Sequence, residues 1–503
     1  MTLIRRLLIA NRGEIAVRII RACRELSIET VAVYSDADAD APHVRAADRA
    51  VHLGPAPARD SYLDGAKVIA AALAAGADAV HPGYGFLSER AHFARACEDA
   101  GLVFVGPPAS ALERMGSKVG ARRLMIEAGV PVVPGETPAE QDDASLQAAI
   151  GRVGFPALIK PSAGGGGIGM KVVRTAAEAV DALAAARREA QASFGDSTLY
   201  VERLIEKPRH VEIQVFADAH DHVVHLFERE CSAQRRHQKV VEESPCPALA
   251  PNIRKSMGAA AVAAARAVGY RNAGTCEFLL EGEGESARFY FLEMNTRLQV
   301  EHPVTECVVG VDLVRAQLLV AGGAPLPFTQ DSLTQRGHAI ECRIYAEDPA
   351  QGFIPQAGLI LLYREPQGPG IRVDSGVTTG STVSVHYDPM LAKLIVWAES
   401  RDLARRKAIA ALRDFAVLGI RTNIPFLLQL LEHDQFVAAT IDTGFLDREG
   451  AAIAAASVSE LPAAALAAVA EHRRLGTLGT LGTLGTPGTP GTDPFASLGG
   501  WRV

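Results

Sequence analysis

Over the first 110 residues, short apolar runs alternate with stretches in which apolar positions recur every three or four residues. "RLLIAN" and "ETVAVYS" read as buried strands, and "EIAVRIIRACREL" between them carries a helical apolar stripe. "DGAKVIAAALAAG", "DAVHPG", "FARACEDAG" and "LVFVGP" continue the alternation, which predicts a parallel sheet with helices on both faces. The first turn, "ANRGEIA", lacks the three-glycine dinucleotide fingerprint, so the expectation is a Rossmann-like scaffold that binds no NAD. From 117 to 335 the pattern changes to hairpins mixed with helices. From 336 to 446 it gives further strands ("HAIECRIYAED", "STVSVHYDPMLAKLIVWAES") and an amphipathic helix, "DLARRKAIAALRDFAVLG". The predicted class is therefore α/β together with α+β: a Rossmann-like domain over 1–116, a central domain over 117–335, a mixed C-terminal domain over 336–446 and a tail over 447–503. That tail begins as an alanine-rich helix and continues as "GTLGTLGTLGTPGTPGTD", with glycine at every third position from Gly476 to Gly491. So few triplets do not make a collagen helix, and the reading is a mobile linker. A chain ending near residue 450 is expected to suffice for activity.

Composition narrows the class. A chain of 503 residues is too long for one core, and 48% hydrophobic with 22% charged residues is an ordinary globular balance. A net charge of -7 argues against a general nucleic-acid binder. The seven cysteines are scattered, with no Cys-x-x-Cys pair, which fits a reducing compartment and offers no zinc site. No apolar run is long enough for a signal peptide or a membrane span, so a cytoplasmic location with no membrane partner is expected.

Five stretches carry chemistry. "GFPALIKPSAGGGGIGMKVV" (154–173) is a strand, a glycine loop and a strand. It fits neither the Rossmann fingerprint, which must open a helix, nor the Walker A pattern. A hairpin flap of this kind can turn its backbone N–H groups onto phosphate oxygens; a plain loop tip is the alternative, and Lys160 at the end of the entering strand favours phosphate. "GTCEFLLEGEGESARFYFLEMN" (274–295) reads as a β-hairpin centred near residue 285, which sets Glu277 opposite Glu293. Two buried like charges there need neutralising. With Asn295 they offer only oxygen, which suits Mg²⁺ or Mn²⁺; an ion pair with a nearby Lys or Arg is the alternative. In "EMNTRLQVEHPVTE" (293–306), Glu293, Asn295, Arg297, Gln299 and Glu301 fall on one face if the chain is extended, with Met294, Thr296, Leu298 and Val300 on the other. "ERECSAQRRHQKVVEESP" (228–245) gathers Gln234, His237 and Lys239, the last two on one side of an extended chain. In "AIECRIYAED" (339–348), Glu341, Arg343 and Tyr345 alternate with Ile340, Cys342 and Ile344.

Together with "HPGYGFLSE", "PRHVEIQVFAD" and "HYDPMLAKLIVW", these stretches stand in the order found in biotin carboxylases. Over residues 3 to 446 the chain resembles the biotin-carboxylase subunits and domains of biotin-dependent carboxylases, in the ATP-grasp superfamily. The resemblance implies an ATP-grasp central domain with a mobile glycine-rich flap. It implies that Glu277, Glu293 and Asn295 hold Mg²⁺ or Mn²⁺ on ATP, and that Arg297, Gln299, Val300 and Glu301 hold bicarbonate with Lys239 nearby. Lys118, Lys160, His237 and the glycine loop, Gly166 and Gly167 included, match phosphate contacts. Glu202 to Ile205, with His210, Gln234 and Leu279, match the nucleoside pocket. Arg343 and Tyr84 match the biotin site, and Arg297, Glu301, Lys239 and Arg343 the catalytic set. The implied partners are a biotin carrier protein or domain, a carboxyltransferase subunit and a second copy of the chain or a larger hetero-complex. Two departures stand out: Ile168 occupies a flap position where the family usually has Lys or Arg, and no Met-Lys-Met biotinylation triplet occurs, so biotin is expected on a carrier rather than on this chain. Other ATP-grasp ligases, or a non-catalytic ATP-binding subunit, are the alternatives.

Overall fold

The structure is a computed structural model that describes residues 4–162 and 168–457. Strands β1 (Arg6–Ile9), β2 (Glu29–Ser35), β3 (Arg49–Gly54), β4 (Ala79–His81) and β5 (Val103–Phe104) form a parallel sheet in the order β3-β2-β1-β4-β5. Leu7, Leu8 and Ile9 of β1 are fully buried because both faces of the sheet are covered. The helix Gly13–Glu25 lays Ile15, Ile19 and Ile20 beside Leu7 and Ile9. Val68 of the helix Gly65–Ala75 and Phe93 of the helix Ala91–Asp99 pack with Leu8 on the other face. The two-sided α/β reading therefore holds.

The central region is not one layer but two. Strands β6 (Gly135–Glu136), β7 (Ala157–Pro161), β8 (Lys171–Val173) and β9 (Leu199–Arg203) make an antiparallel sheet, β6-β9-β7-β8. The helices Asp143–Val153 and Ala179–Phe194 cover it with a core of its own around Leu146, Ile159 and Leu183. The predicted strand, loop and strand are β7 and β8, paired from Ala157↔Val173 to Ile159↔Lys171. Residues 163–167 of the loop, with Gly166 and Gly167, lie outside the described residues.

The larger sheet has eight strands. β10 (Arg209–Ala217), β11 (Val223–Arg235), β12 (Gln238–Ser244), β13 (Asn272–Glu281), β14 (Arg288–Asn295) and β15 (His338–Tyr345) are joined by the strands Met390–Ala398 and Ile371–Ser375. The order is β14-β13-β10-β11-β12-β15, then Met390–Ala398, then Ile371–Ser375. One face is apolar: Val211, Ile213 and Phe278 pack under the helix Pro251–Ala267, and Ile340, Cys342 and Ile344 pack with the helix Arg401–Asp414. The other face carries Glu212, Glu277, Glu341 and Arg343, the alternate residues of the same strands.

Three boundaries differ from the sequence reading. The sheet runs through position 335/336, because β15 satisfies the open edge of β12 (Val241↔Cys342, Glu242↔Glu341). The helix Phe445–Ala456 crosses 446/447 and buries Phe445, Leu446, Ile453 and Ala454 in the C-terminal core, so the body of the protein extends beyond residue 450. The predicted strand 381–400 is split: Thr382–Val383 pairs with Gly358–Leu359 in a separate two-stranded sheet, and only Met390–Ala398 joins the large one. Between the two, Tyr387 is drawn onto the N-terminal domain, its ring 4.2 Å from the Arg12 guanidinium and its hydroxyl donating to Ala56 O at 2.5 Å. Among the described residues, no helix is long and apolar enough to cross a membrane. The linker expected from Gly476 lies outside the described residues.

Candidate active site

The polar face of the eight-stranded sheet and the β7–β8 hairpin enclose a cavity of about 710 Å³. Every described candidate residue except Tyr84 lines it. Lys160, Glu202 and Ile205 come from the four-stranded side, and Lys118 from the start of the helix Lys118–Glu127, which Ser117 caps by accepting from Gly120 N at 3.2 Å. The large sheet supplies His210, Gln234, Lys239, Glu277, Leu279, Glu293, Asn295 and Arg343. His237, from the β11–β12 turn, and Arg297, Gln299, Val300 and Glu301, which follow β14, complete the wall.

The hairpin register is as predicted. Glu277 pairs with Glu293 and Thr275 with Asn295, before a bulge shifts Phe278 opposite Phe291. The extended reading of 293–301 holds only to Asn295, where β14 ends. Beyond it Thr296 and Leu298 are buried anchors, Thr296 N donates to Glu89 at 3.0 Å, and Lys393 Nζ donates to Val300 O at 2.7 Å. This turn sets Val300 on the cavity wall, where alternation would have turned it away. His237 and Lys239 share the cavity for a different reason from the one expected. Arg236 (φ +49°) and His237 (φ +65°) form a left-handed two-residue turn from β11 to β12, not an extended pair. Tyr84 stands off the cavity, its hydroxyl donating to the buried Glu14.

The charges centre on Lys239. Its ammonium donates to Glu212 at 2.5 Å, Glu301 at 2.6 Å and Glu277 at 2.9 Å. Arg343 donates from Nε to Glu242 at 2.6 Å and from Nη2 to Glu301 at 3.0 Å. Arg297 reaches Glu89 (3.1 Å), Gln299 (2.9 Å) and Asn295 (3.2 Å). Burial works against ionisation of Glu301, but Lys239, Arg343 and Arg229 together hold its carboxyl well below the usual range. Burial likewise opposes the charge on Lys239, and the three glutamates outweigh it, so its pKa rises. Lys160 is committed to Glu202 at 3.0 Å, whereas burial lowers Lys118, which has no ion-pair partner among the described residues.

The donor set fits a hard divalent cation. Glu293 is half-buried, has no hydrogen-bond or ion-pair partner among the described residues, and is pushed up by burial and then by Glu277 opposite it. Glu277 itself is neutralised by Lys239 and by His210 at 3.1 Å, so a cation bound between the two glutamates would compete with both. Two further groups of close ligand atoms, His210 with Glu212 and Glu277, and Glu212 with Cys231 and Glu301, surround the Lys239 ammonium, which already supplies the positive charge there.

Three family profiles match in succession: "Biotin carboxylase, N-terminal domain" over 3–112, "Carbamoyl-phosphate synthase L chain, ATP binding domain" over 117–329 and "Biotin carboxylase C-terminal domain" over 341–448. A Bacillus subtilis protein named biotin carboxylase 1 is 50% identical over 445 residues, which are 88% of this chain and 98% of that protein. The chain belongs to the biotin carboxylase family. The mitochondrial methylcrotonoyl-CoA carboxylase subunit alpha of Glycine max is 52% identical over 444 residues, and the match spans 60% of that subunit's length. A solved complex of biotin carboxylase with βγ-ATP from Campylobacter jejuni superposes with a TM-score of 0.85 at 43% identity, covering 89% of this chain and 99% of that one. The biotin carboxylase domain dimer of Hydrogenobacter thermophilus 2-oxoglutarate carboxylase, holding MgADP, ADP and bicarbonate, gives 0.85 at 42% identity, over 90% and 99%. In this biotin carboxylase fold the structure adds residues that the sequence reading passed over: Glu212 and its partner Arg229 (2.5 Å), Glu242, Glu89 and Lys393. Only the alternation of "RHVEIQV" marked Glu212, and nothing local marked Glu242, Glu89 or Lys393.

Proposed function

We propose that the chain carboxylates biotin, carried on a separate protein or domain, at the expense of ATP and bicarbonate, as the biotin carboxylase component of an acyl-CoA carboxylase. The observation that supports this most directly is the ammonium of Lys239 joined to Glu212, Glu277 and Glu301, with Arg343 on the same Glu301 and the Glu277–Glu293 pair beside it. Glu277, Glu293 and Asn295 would hold Mg²⁺ or Mn²⁺, which supplies charge neutralisation at the phosphates. Lys118, Lys160, His237 and the glycine loop take the phosphates, and Ile205, His210, Gln234 and Leu279 the nucleoside. Arg297 fixes bicarbonate beside Gln299 and Val300, and Glu301 takes its proton. With both Lys239 and Arg343 on it, Glu301 is ionised but weakly basic; as these cations turn towards the bound anions, its basicity rises. A bicarbonate oxygen attacks the γ-phosphorus and ADP leaves, giving carboxyphosphate, which breaks down to CO₂ and phosphate. The phosphate removes the N1 proton of biotin, Arg343 stabilises the ureido oxygen, and N1 bonds to CO₂.

The acyl-CoA acceptor class rests on the relatives named methylcrotonoyl-CoA carboxylase subunit alpha, and acetyl-, propionyl- or methylcrotonyl-CoA fits it. The carrier and carboxyltransferase partners and a dimeric state rest on the same kinship. The purified chain should hydrolyse ATP slowly, only with both Mg²⁺ and bicarbonate, and faster when free biotin is added. Hydrolysis at the same rate without bicarbonate would refute the roles of Arg297 and Glu301.

A further inference from the structure

Two carboxyls behind the cavity wall take no part in the chemistry above. Glu242 on β12 and Glu341 on β15 are direct cross-strand partners, both fully buried. Their side chains therefore rise from one face with Cβ atoms about 5 Å apart. Glu242 accepts from Arg343 through Oε1, but its Oε2 has no hydrogen-bond partner among the described residues, and neither oxygen of Glu341 has one. Several charged or titratable groups face Glu341 from the elements packed against it. They are Glu242, Arg343 on its own strand, Lys393 on Met390–Ala398, Glu301 and Cys307 at the helix His302–Val309, and Tyr84 with its partner Glu14 from the N-terminal domain. Lys393 is engaged elsewhere, donating to Val300 O at 2.7 Å and standing 3.2 Å from Glu14. Two ionised carboxylates opposed in this pocket would leave three buried oxygens unsatisfied and repel each other. One proton held between the pair ends the repulsion and satisfies two of the three oxygens.

We propose that Glu341 is a positioning residue for Arg343: it carries a proton that it shares with Glu242, so the pair bears a single negative charge and Glu242 keeps its hold on the guanidinium throughout the reaction. The proposal rests on the reading of Arg343 as the cation that faces biotin. Arg343 has two carboxylates on it, Glu242 and Glu301. When Glu301 accepts the bicarbonate proton, its attraction for Arg343 falls, and Glu242 is then the carboxylate that fixes the guanidinium. An unprotonated Glu341 would add a second negative charge beside Glu242 and compete for Lys393, whose bond to Val300 O shapes the bicarbonate turn. Burial pushes Glu242 up to about 7 and Glu341 well above the carboxylate range, in the direction the geometry requires.

The test is infrared spectroscopy of the full chain at about pH 8, where ordinary carboxyls are ionised. A carbonyl stretch from a protonated carboxyl is expected in the wild type, lost in Glu341→Gln, and present but shifted in Glu242→Gln, which alters the partner of the proton. No such band in the wild type, or an unchanged band in Glu341→Gln, overturns the proposal. In kinetics, Glu341→Ala should raise KM for free biotin about tenfold or more with a smaller fall in kcat, as supporting residues behind a site commonly do, and Glu341→Gln should restore it. An unaltered KM in Glu341→Ala overturns the positioning role. If the wild type shows no biotin-dependent turnover, the functional reading fails, and the infrared result still decides whether the pair holds a proton.

Discussion

At the scale of single residues, Glu301 is where geometry and chemistry meet. Its two oxygens are divided between Lys239 and Arg343, so neither cation can move without changing its basicity. Glu301→Gln keeps the shape and removes the proposed base, and bicarbonate-dependent ATP cleavage should fall by about 10²–10⁴-fold, read from initial rates. Arg343→Ala should impair carboxylation of biotin far more than ATP cleavage, and the structure adds a pH effect. Arg343 is one of the groups that depress the Glu301 carboxyl, so its loss raises that pKa, and the base becomes protonated at a higher pH. The acid limb of bicarbonate-dependent ATP hydrolysis should therefore move to higher pH in Arg343→Ala. A pH–rate profile with an unmoved acid limb would remove Arg343 from the charge balance at Glu301.

At the scale of elements, the β13–β14 hairpin holds the opposed carboxylates Glu277 and Glu293 in register. Phe278, at the bulge next to Glu277, is fully buried, with its ring edge-on to Phe289 (5.5 Å) and Phe291 (6.1 Å). Phe278→Ala should cost about 3–5 kcal/mol, measured by denaturant unfolding; a loss below about 1 kcal/mol would mean that the hairpin is braced elsewhere. This hairpin was legible in the sequence because it is local: a short polar connection and paired strands set Glu277 against Glu293 without reference to the rest of the chain. The parallel N-terminal sheet was largely legible for a similar reason, since β1 and β2 are apolar on both faces and the helices carry a plain stripe; the exposed edge strand β3 ("RAVHLG") lacks that signal and was not read. The approach of Arg297, Gln299 and Glu301 to one wall was inferred from an alternation that ends at Asn295. What brings them together is a turn anchored by Glu89 and Lys393, both far away in sequence. Glu212 was marked only as one polar position of an alternating strand, and its place in the charge cluster was not legible. It matters because the registers of β10, β11 and β12 bring Arg229 and Lys239 to it, and register between distant strands leaves no local mark.

At the scale of the whole molecule, position 446 is not an edge. The helix Phe445–Ala456 returns to the C-terminal core with Ile453 4% and Ala454 7% exposed, in one cluster with Leu427 and Leu430. Thr443, Gly444 and Asp447, around its first turn, line the same cavity as Gln234 and Ile205, and Thr443 N donates to Pro208 O at 2.9 Å. The last turns of this helix therefore support the mouth of the proposed nucleoside pocket from a distance. A chain ending after Ser457 should keep the melting temperature and the bicarbonate-dependent ATPase of the full chain. One ending after Gly450 loses Ile453, whose burial is worth about 1.5–3 kcal/mol, and should melt lower. Because the helix then frays towards Asp447, the shorter chain should also show a higher KM for ATP at temperatures where it is still folded. Equal KM values in the two truncated chains would mean that the cavity mouth holds its shape without the terminal helix.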